Sequence, residues 1–168
     1  MKSDKVISKP KASSLKLKEE EIIESEKKVL SGRLFELEVE DYLINRGLVE
    51  GFSYQGQVNI GKGLIKNSHI LDHLLVANST GRKILVSSKY QGTDGTAEEK
   101  IVFEIVKLGR AVKSDIAIKK AYLILGGEGW SSGLKDFAKG LLSEELACYK
   151  GLVEVVEVEK FVERKRIF

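Results

Sequence analysis

The sequence contains few of the residues that build covalent or thiolate-bound scaffolds. Its 168 residues include one cysteine, Cys148, which excludes an internal disulfide framework and a zinc site made of several thiolates. Two histidines, His69 and His73, are too few for a histidine-rich metal site. No apolar run approaches the ~20 residues of a membrane span, and the charged N-terminus lacks the apolar core of a signal peptide. We therefore expect no membrane partner and, by default, a cytoplasmic location.

The composition is that of a protein able to bury a core. Hydrophobic residues make up 42% of the chain and charged residues 32%, and the formal net charge is +3. This mildly basic balance permits a polyanionic partner without requiring one. The length predicts a single domain over residues 15–168, preceded by a flexible basic arm over residues 1–14 that holds the only proline.

The order of apolar patterns predicts a mixed β-sheet flanked by helices. Two helices come first, separated by a break or cap at Ser31-Gly32. A three-strand meander follows, and two further strands are each preceded by a crossover helix, so the predicted fold class is α/β. The predicted helices cover residues 15–30, 33–46, 97–112 and 133–146, and the predicted strands cover residues 52–60, 70–76, 83–91, 120–126 and 152–157.

Charged residues interrupt two neighbouring apolar strands of this pattern. Asp72 lies early in one strand, Lys89 lies late in the next, and residues 78–81 between them have the composition of a hairpin turn. Antiparallel pairing would bring the carboxylate and the ammonium group to one place. Because unpaired buried charge is costly, this pair indicates a functional site.

Side chains along the strand that carries Lys89 alternate between its two faces. Ser87, Lys89 and Gln91 share one face, and this polar triplet predicts a lined cleft. An exposed face of the sheet is the alternative interpretation.

Helical geometry places further carboxylates near the sheet. At ~100° per residue, Glu36 and Glu40 fall within the apolar arc of their helix. They either face the core or lie at its margin, where they would extend to water or pair with an arginine. In the helix that follows Lys89, Glu98 falls on the apolar side and Glu104 at its border, so either can reach the sheet. For Glu98, a favourable interaction with the helix dipole is an equal explanation.

These residues and their order resemble the PD-(D/E)XK nuclease superfamily, which includes many restriction endonucleases and Holliday-junction resolvases. The resemblance extends over residues 32–126. It equates Glu36 with the acid of the family's opening helix, Asp72 with the strand aspartate, and Ser87-Ser88-Lys89 with the acid-x-lysine element. The implied fold is restriction-endonuclease-like.

Two positions depart from the family pattern. Leu71 precedes Asp72 where proline is common, and Ser87 stands where an acid is expected. Some restriction enzymes of the superfamily share the second departure and recruit a glutamate from the following helix. Glu98 and Glu104 are both placed for that role, and the sequence does not choose between them.

The resemblance implies a nuclease that depends on Mg²⁺, with Mn²⁺ as an alternative ion. Phosphodiester hydrolysis needs a hard cation, which carboxylate and carbonyl oxygens bind. Asp72 would be the central metal ligand, shared with Glu98 or Glu104. The backbone carbonyl of Ser88 would add a further ligand.

The resemblance also assigns roles to the remaining site residues. Glu36 would bind a second metal or orient a water molecule. Lys89 would stabilise the charge of the transition state and help to position or deprotonate the attacking water. Gln91 would hydrogen-bond a phosphate or the recruited carboxylate.

A basic loop before Asp72 predicts the contact with double-stranded DNA. Lys62 and Lys66 suit phosphates, while Asn67 and His69 suit base edges or the backbone. A solvated hairpin loop is the alternative.

The predicted function is a sequence-specific, restriction-like DNA endonuclease. A chain this short cannot read a duplex site and cut both strands alone, so we expect a homo-oligomer, either a dimer or a tetramer, with residues 15–30 as a candidate contact. A homing endonuclease or a Holliday-junction resolvase of the same fold remains an alternative. So does a non-catalytic DNA-binding or assembly domain that has lost the acid at position 87.

Overall fold

A five-stranded sheet forms the centre of the protein in a computed structural model, which describes residues 12–62, 68–93, 98–138 and 144–168. The strands lie side by side in chain order. The first two pairings are antiparallel and the last two are parallel, so the predicted mixed α/β sheet is confirmed. The strands are β1 (Tyr54–Lys62), β2 (Ser68–Ala77), β3 (Arg82–Tyr90), β4 (Ile118–Gly126) and β5 (Val153–Glu157).

Helices cover both faces of the sheet. On one face, α2 (Glu98–Ser114), α3 (Ser132–Ala138) and a 3₁₀ helix (Glu144–Tyr149) bury their apolar residues with those of the strands. On the other face, α1 (Ala12–Asn45) and α4 (Val158–Val162) do the same. No helix in the described ranges combines the length and apolarity that crossing a bilayer requires.

Helix α1 is continuous, so the predicted break at Ser31-Gly32 is wrong. The Ser31 hydroxyl does not cap a new helix but donates a hydrogen bond to the Lys27 carbonyl at 2.8 Å. A glycine inside a helix costs only ~1 kcal/mol, and the packing of the residues that follow outweighs that cost. Residues 12–14 of the predicted flexible arm lie in α1, and residues 1–11 lie outside the described residues.

The other predicted elements differ from the structure mainly near the C-terminus. Each of the five strands and α2 begins and ends within two residues of its predicted bounds. The helix predicted over residues 133–146 corresponds to α3 and the 3₁₀ helix, with residues 139–143 between them outside the described residues. Helix α4, with five residues, is too short to give a periodic signal and was not predicted.

The packing of α1 against the sheet predicts opposite effects for two glycine substitutions. A Cβ atom added at Gly126 would overlap the ring of Phe35, whereas one added at Gly32 would meet nothing within 4 Å. We expect Gly126→Ala to lower the free energy of unfolding by ~1–3 kcal/mol, because the ring must move within a packed core. Gly32→Ala, the matched control, should raise it by ~0.5–1 kcal/mol through helix propensity. Urea denaturation measures both values, and a stability of Gly126→Ala equal to wild type would contradict the expectation.

Candidate active site

The candidate site forms where the two central strands separate. Backbone pairing between β2 and β3 runs from Ala77 and Arg82 to His73 and Val86 and ends there. Beyond that point β2 remains paired with β1, and β3 remains paired with β4. The residues that follow the last pair therefore face a gap in the sheet.

Asp72 bridges this gap with its side chain. Its Oδ2 atom accepts a hydrogen bond from the backbone N–H of Ser88 at 2.6 Å and from the hydroxyls of Ser87 and Ser88 at 3.2 Å each. The Lys89 Nζ atom lies 3.6 Å from the same oxygen. The structure thus brings Asp72 and Lys89 together, as their positions on paired strands predicted.

Ser87 links Asp72 to a second carboxylate, which comes from α2. The Ser87 Oγ atom lies 3.2 Å from Asp72 Oδ2 and 3.1 Å from Glu104 Oε1, and Lys89 Nζ donates to it at 3.1 Å. A hydroxyl carries one hydrogen, so Ser87 donates to one carboxylate at a time. Of the two glutamates that the sequence left open, Glu104 contacts Ser87, whereas the side chain of Glu98 lies outside the described residues.

Glu104 is buried but held in its charged form. Only 5% of the residue is exposed, and burial alone would raise the pKa of its carboxyl group. Hydrogen bonds from His69 and Lys107, together with the charges of Lys89 and Lys107, instead lower that pKa to about 2. The His69 Nε2 atom lies 3.2 Å from Oε1, and the Lys107 ammonium pairs with Oε2. Glu104 is therefore ionised at neutral pH.

Glu36 approaches the same charges from α1 on the other face of the sheet. Burial raises the pKa of Glu36, and repulsion by Asp72 raises it further, while Lys89 and Arg33 oppose the shift. Its carboxylate also pairs with Arg33 Nη1 at 3.6 Å. Glu40, the other inward acid of the helix, instead accepts a hydrogen bond from the Tyr54 hydroxyl at 3.1 Å.

Three further predicted site residues lie in positions that differ from their expected roles. His69 is 5% exposed and contacts Glu104, so touching DNA would require its ring to leave that position. Gln91 is buried, and its Nε2 atom donates to the Gly129 carbonyl at 2.6 Å, while its Oε1 has no partner among the residues described. The Ser88 carbonyl accepts a hydrogen bond from Lys89 Nζ at 2.9 Å. Lys66, Asn67 and the side chain of Lys62 lie outside the described residues.

Sequence reasoning missed the groups that hold Glu104. Lys107 follows Glu104 by three residues on α2, a spacing at which helical side chains meet, and this signal was available. The contact of His69 joins residues 35 apart in the chain, and nothing local indicates it.

The donor set suits a divalent cation that keeps part of its hydration. Within the described ranges, no three His, Cys, Asp or Glu side chains could hold a metal by themselves. Mg²⁺ commonly binds one or two carboxylates and takes its remaining ligands from water and substrate phosphates. Asp72 and Glu104 supply two such carboxylates beside one hydroxyl. The residues present therefore fit the ion.

Comparison with known proteins gives one match. A family model described as a PD-(D/E)XK nuclease superfamily domain matches residues 20–166. No curated protein matched the chain.

His73, a second buried titratable residue near the site, makes the stability of the protein depend on pH. His73 is 3% exposed, contacts the Tyr54 ring edge-on, and has no hydrogen-bond partner for either ring nitrogen in the described structure. Burial lowers the pKa of His73 from its ordinary value of 6.5, although Asp72 and Glu40 oppose the shift. As the pH falls below 6.5, His73 binds a proton in the unfolded chain more readily than in the folded protein. The free energy of unfolding therefore falls as the pH falls.

We expect His73→Phe to make this dependence shallower, because phenylalanine fills a similar space and does not titrate. Urea denaturation of both proteins at several pH values between about 5 and 7 measures the two slopes. Above pH ~7.5 the slopes should coincide, which serves as the internal control. Equal slopes throughout would show that His73 binds a proton as readily in the folded state as in the unfolded one.

Proposed function

The chain belongs to the PD-(D/E)XK nuclease superfamily, and on this basis we propose that it is a metal-dependent DNA endonuclease that hydrolyses phosphodiester bonds. One observation carries the proposal. The carboxylates of Asp72 and Glu104 contact the same Ser87 hydroxyl, beside the Lys89 ammonium group, although Ser87 replaces the acid that the family pattern expects. Glu104 thus supplies a carboxylate where the chain lacks one, which favours a catalytic protein over a binding domain.

In this proposal Asp72 and Glu104 hold the divalent ion, with Mg²⁺ as the expected metal and Mn²⁺ as a substitute. The hydrogen bonds that Asp72 accepts from described residues all reach Oδ2, which leaves Oδ1 for the ion. When bound, the ion would act as a Lewis acid toward the phosphate and lower the pKa of a coordinated water. His69 and Lys107 keep the Glu104 carboxylate in place.

Lys89 and Glu36 complete the proposed mechanism. The Lys89 side chain is 37% exposed, so its ammonium group can contact a phosphate in the cleft while it stays near Asp72. There it stabilises the negative charge that develops on the phosphate oxygens as the water attacks. Glu36 is close enough to respond to the charges of both Asp72 and Lys89, and it orients the attacking water.

The proposal includes a sequence-specific, restriction-like reaction on double-stranded DNA. Recruitment of the acid from the helix that follows the lysine resembles the arrangement in some restriction enzymes, and this favours a cutter of plain duplex. A Holliday-junction resolvase or a homing endonuclease of the same fold is distinguished by its substrate. Because one site cuts one strand, the proposal also requires at least two copies of the chain for a double-strand break.

The first test removes the ammonium group of Lys89. We expect Lys89→Ala to lower the rate of Mg²⁺-dependent cleavage by about 10²–10⁴-fold, because the charge that develops in the transition state loses its cation. Supercoiled plasmid, plain duplex and four-way junctions serve as substrates, and cleavage of the duplex at one site supports the restriction-like function. Lys83→Ala is the matched control, since Lys83 lies at the other end of β3 and pairs with Asp115. Equal nicking by wild type and Lys89→Ala would point to a contaminant and contradict the mechanism.

The second test decides between the two helix glutamates. We expect Glu104→Gln to weaken Mn²⁺ binding, measured by calorimetry without DNA, by about 10–100-fold and to abolish cleavage. Glu98→Gln should leave both properties near wild type. The opposite result would assign the recruited acid to Glu98, and unchanged metal binding in both variants would remove Glu104 from the metal site.

A further inference from the structure

Helix α1 carries a row of exposed apolar side chains at regular spacing. Ile23, Leu30, Leu37 and Ile44 follow one another every seven residues and are 51%, 59%, 43% and 47% exposed. Leu34, which is 57% exposed, lies between the middle two. These five residues are called the outer stripe below.

The outer stripe lies on the face of α1 that points away from the sheet. The core-facing residues Phe35, Val39 and Leu43 are each at most 4% exposed. At ~100° per residue they occupy about 0° to 80°, and the outer stripe occupies about 180° to 260°. Packing of α1 on its own domain therefore does not account for the outer stripe.

We propose that the outer stripe is the contact between two copies of this chain, which pair through their α1 helices. A seven-residue apolar repeat keeps one seam of a helix in contact with a second helix as the two coil around each other. A second copy brings the same repeat, so the contact is self-complementary and closes as a symmetric dimer. The proposal deepens the proposed function, which requires two active sites to cut both strands.

The charges beside the outer stripe favour a second copy over nucleic acid. Among the side chains of α1 that the structure describes, the exposed charged neighbours have both signs and do not form a basic surface of the kind that phosphates require. A helix with the same mixed charges can place opposite signs against each other. Arg33, Lys27 and Glu38 flank the arc of the outer stripe at about 160°, 280° and 300°, and Glu26 and Asp41 fall within it at about 180° and 240°.

The size of the outer stripe sets the expected strength of the dimer. From Ile23 to Ile44 the helix rises by about 32 Å, and a contact ~10 Å wide would bury about 320 Å² on each copy. A stable interface usually buries ~800 Å² on each partner. The seam alone therefore gives a weak, concentration-dependent dimer, which DNA with two half-sites would strengthen by holding both copies.

Sedimentation equilibrium without DNA, from about 1 µM to about 200 µM, tests the proposal in the range where small interfaces dissociate. We expect wild type to dimerise. The double variant Leu30→Glu/Leu37→Glu should raise the dissociation constant at least ~10-fold, because each copy would bury two negative charges in the contact. Ile116→Glu is the matched control, because Ile116 is 90% exposed and lies outside α1, and it should dimerise like wild type. Circular dichroism should show equal helix content in all three proteins.

Two outcomes overturn the proposal: wild type that stays monomeric at the highest concentration, and a double variant that dimerises as well as wild type. Single-strand nicking of plasmid separates this result from the proposed function. If wild type is monomeric but nicks in a Lys89-dependent manner, the nuclease function stands and the dimer contact fails. If the dimer forms as expected without any nicking, the contact stands and the nuclease function fails.

Discussion

The carboxylate of Asp72 joins the two central strands at the point where their backbone pairing ends. It accepts a 2.6 Å hydrogen bond from the N–H of Ser88, a donor that would otherwise lack a partner in the opening sheet. A buried N–H left unpaired costs about as much as a lost hydrogen bond, so the separation of β2 and β3 depends on this acid. The interaction that lets the strands separate is thus the one that holds a carboxylate in the gap.

The negative charges of three neighbouring acids repel one another, and each acid has different partners that offset this repulsion. Asp72 has the N–H of Ser88 and the nearby Lys89. Glu104 is buried, and its pKa of about 2 shows that its cationic neighbours outweigh the cost of desolvation. Glu36 lacks comparable support, so its pKa is raised by burial and by Asp72. The surroundings of Glu104 therefore favour its charged form, whereas those of Glu36 disfavour it.

The sequence was sufficient for the parts of the site that depend on local geometry. The turn over residues 78–81 and antiparallel pairing bring Asp72 and Lys89 together, and helical spacing places Glu98 and Glu104 where either can reach the sheet. The sequence was insufficient where contacts between distant parts of the chain determine the structure. The continuity of α1 through Gly32 depends on the contacts of residues such as Phe35 with the sheet, which outweigh local propensity.

The contact between His69 and Glu104 is a second feature that depends on distant packing and that the sequence did not predict. His69 lies in the strand that follows the basic loop, so its sequence context favoured a contact with DNA. The register of β2 against β1 and the packing of α2 turn the ring inward, and neither is visible in the local pattern. Composition gives the kinds of groups present, but the charge balance around Glu104 arises only when β2, β3 and α2 are packed together.

In the proposed dimer, helix α1 would connect the active site of one copy to the position of the other copy. Its core face is fixed against the sheet by the packing of Phe35 on Gly126, and the next residue is Glu36. The opposite face of the same helix carries the outer stripe. A helix transmits position along its axis with little bending over a few turns, so a partner bound to the stripe would be held in a fixed relation to Glu36. Pairing through α1 would therefore set the spacing between two active sites, and with it the separation of the bonds cut on the two DNA strands.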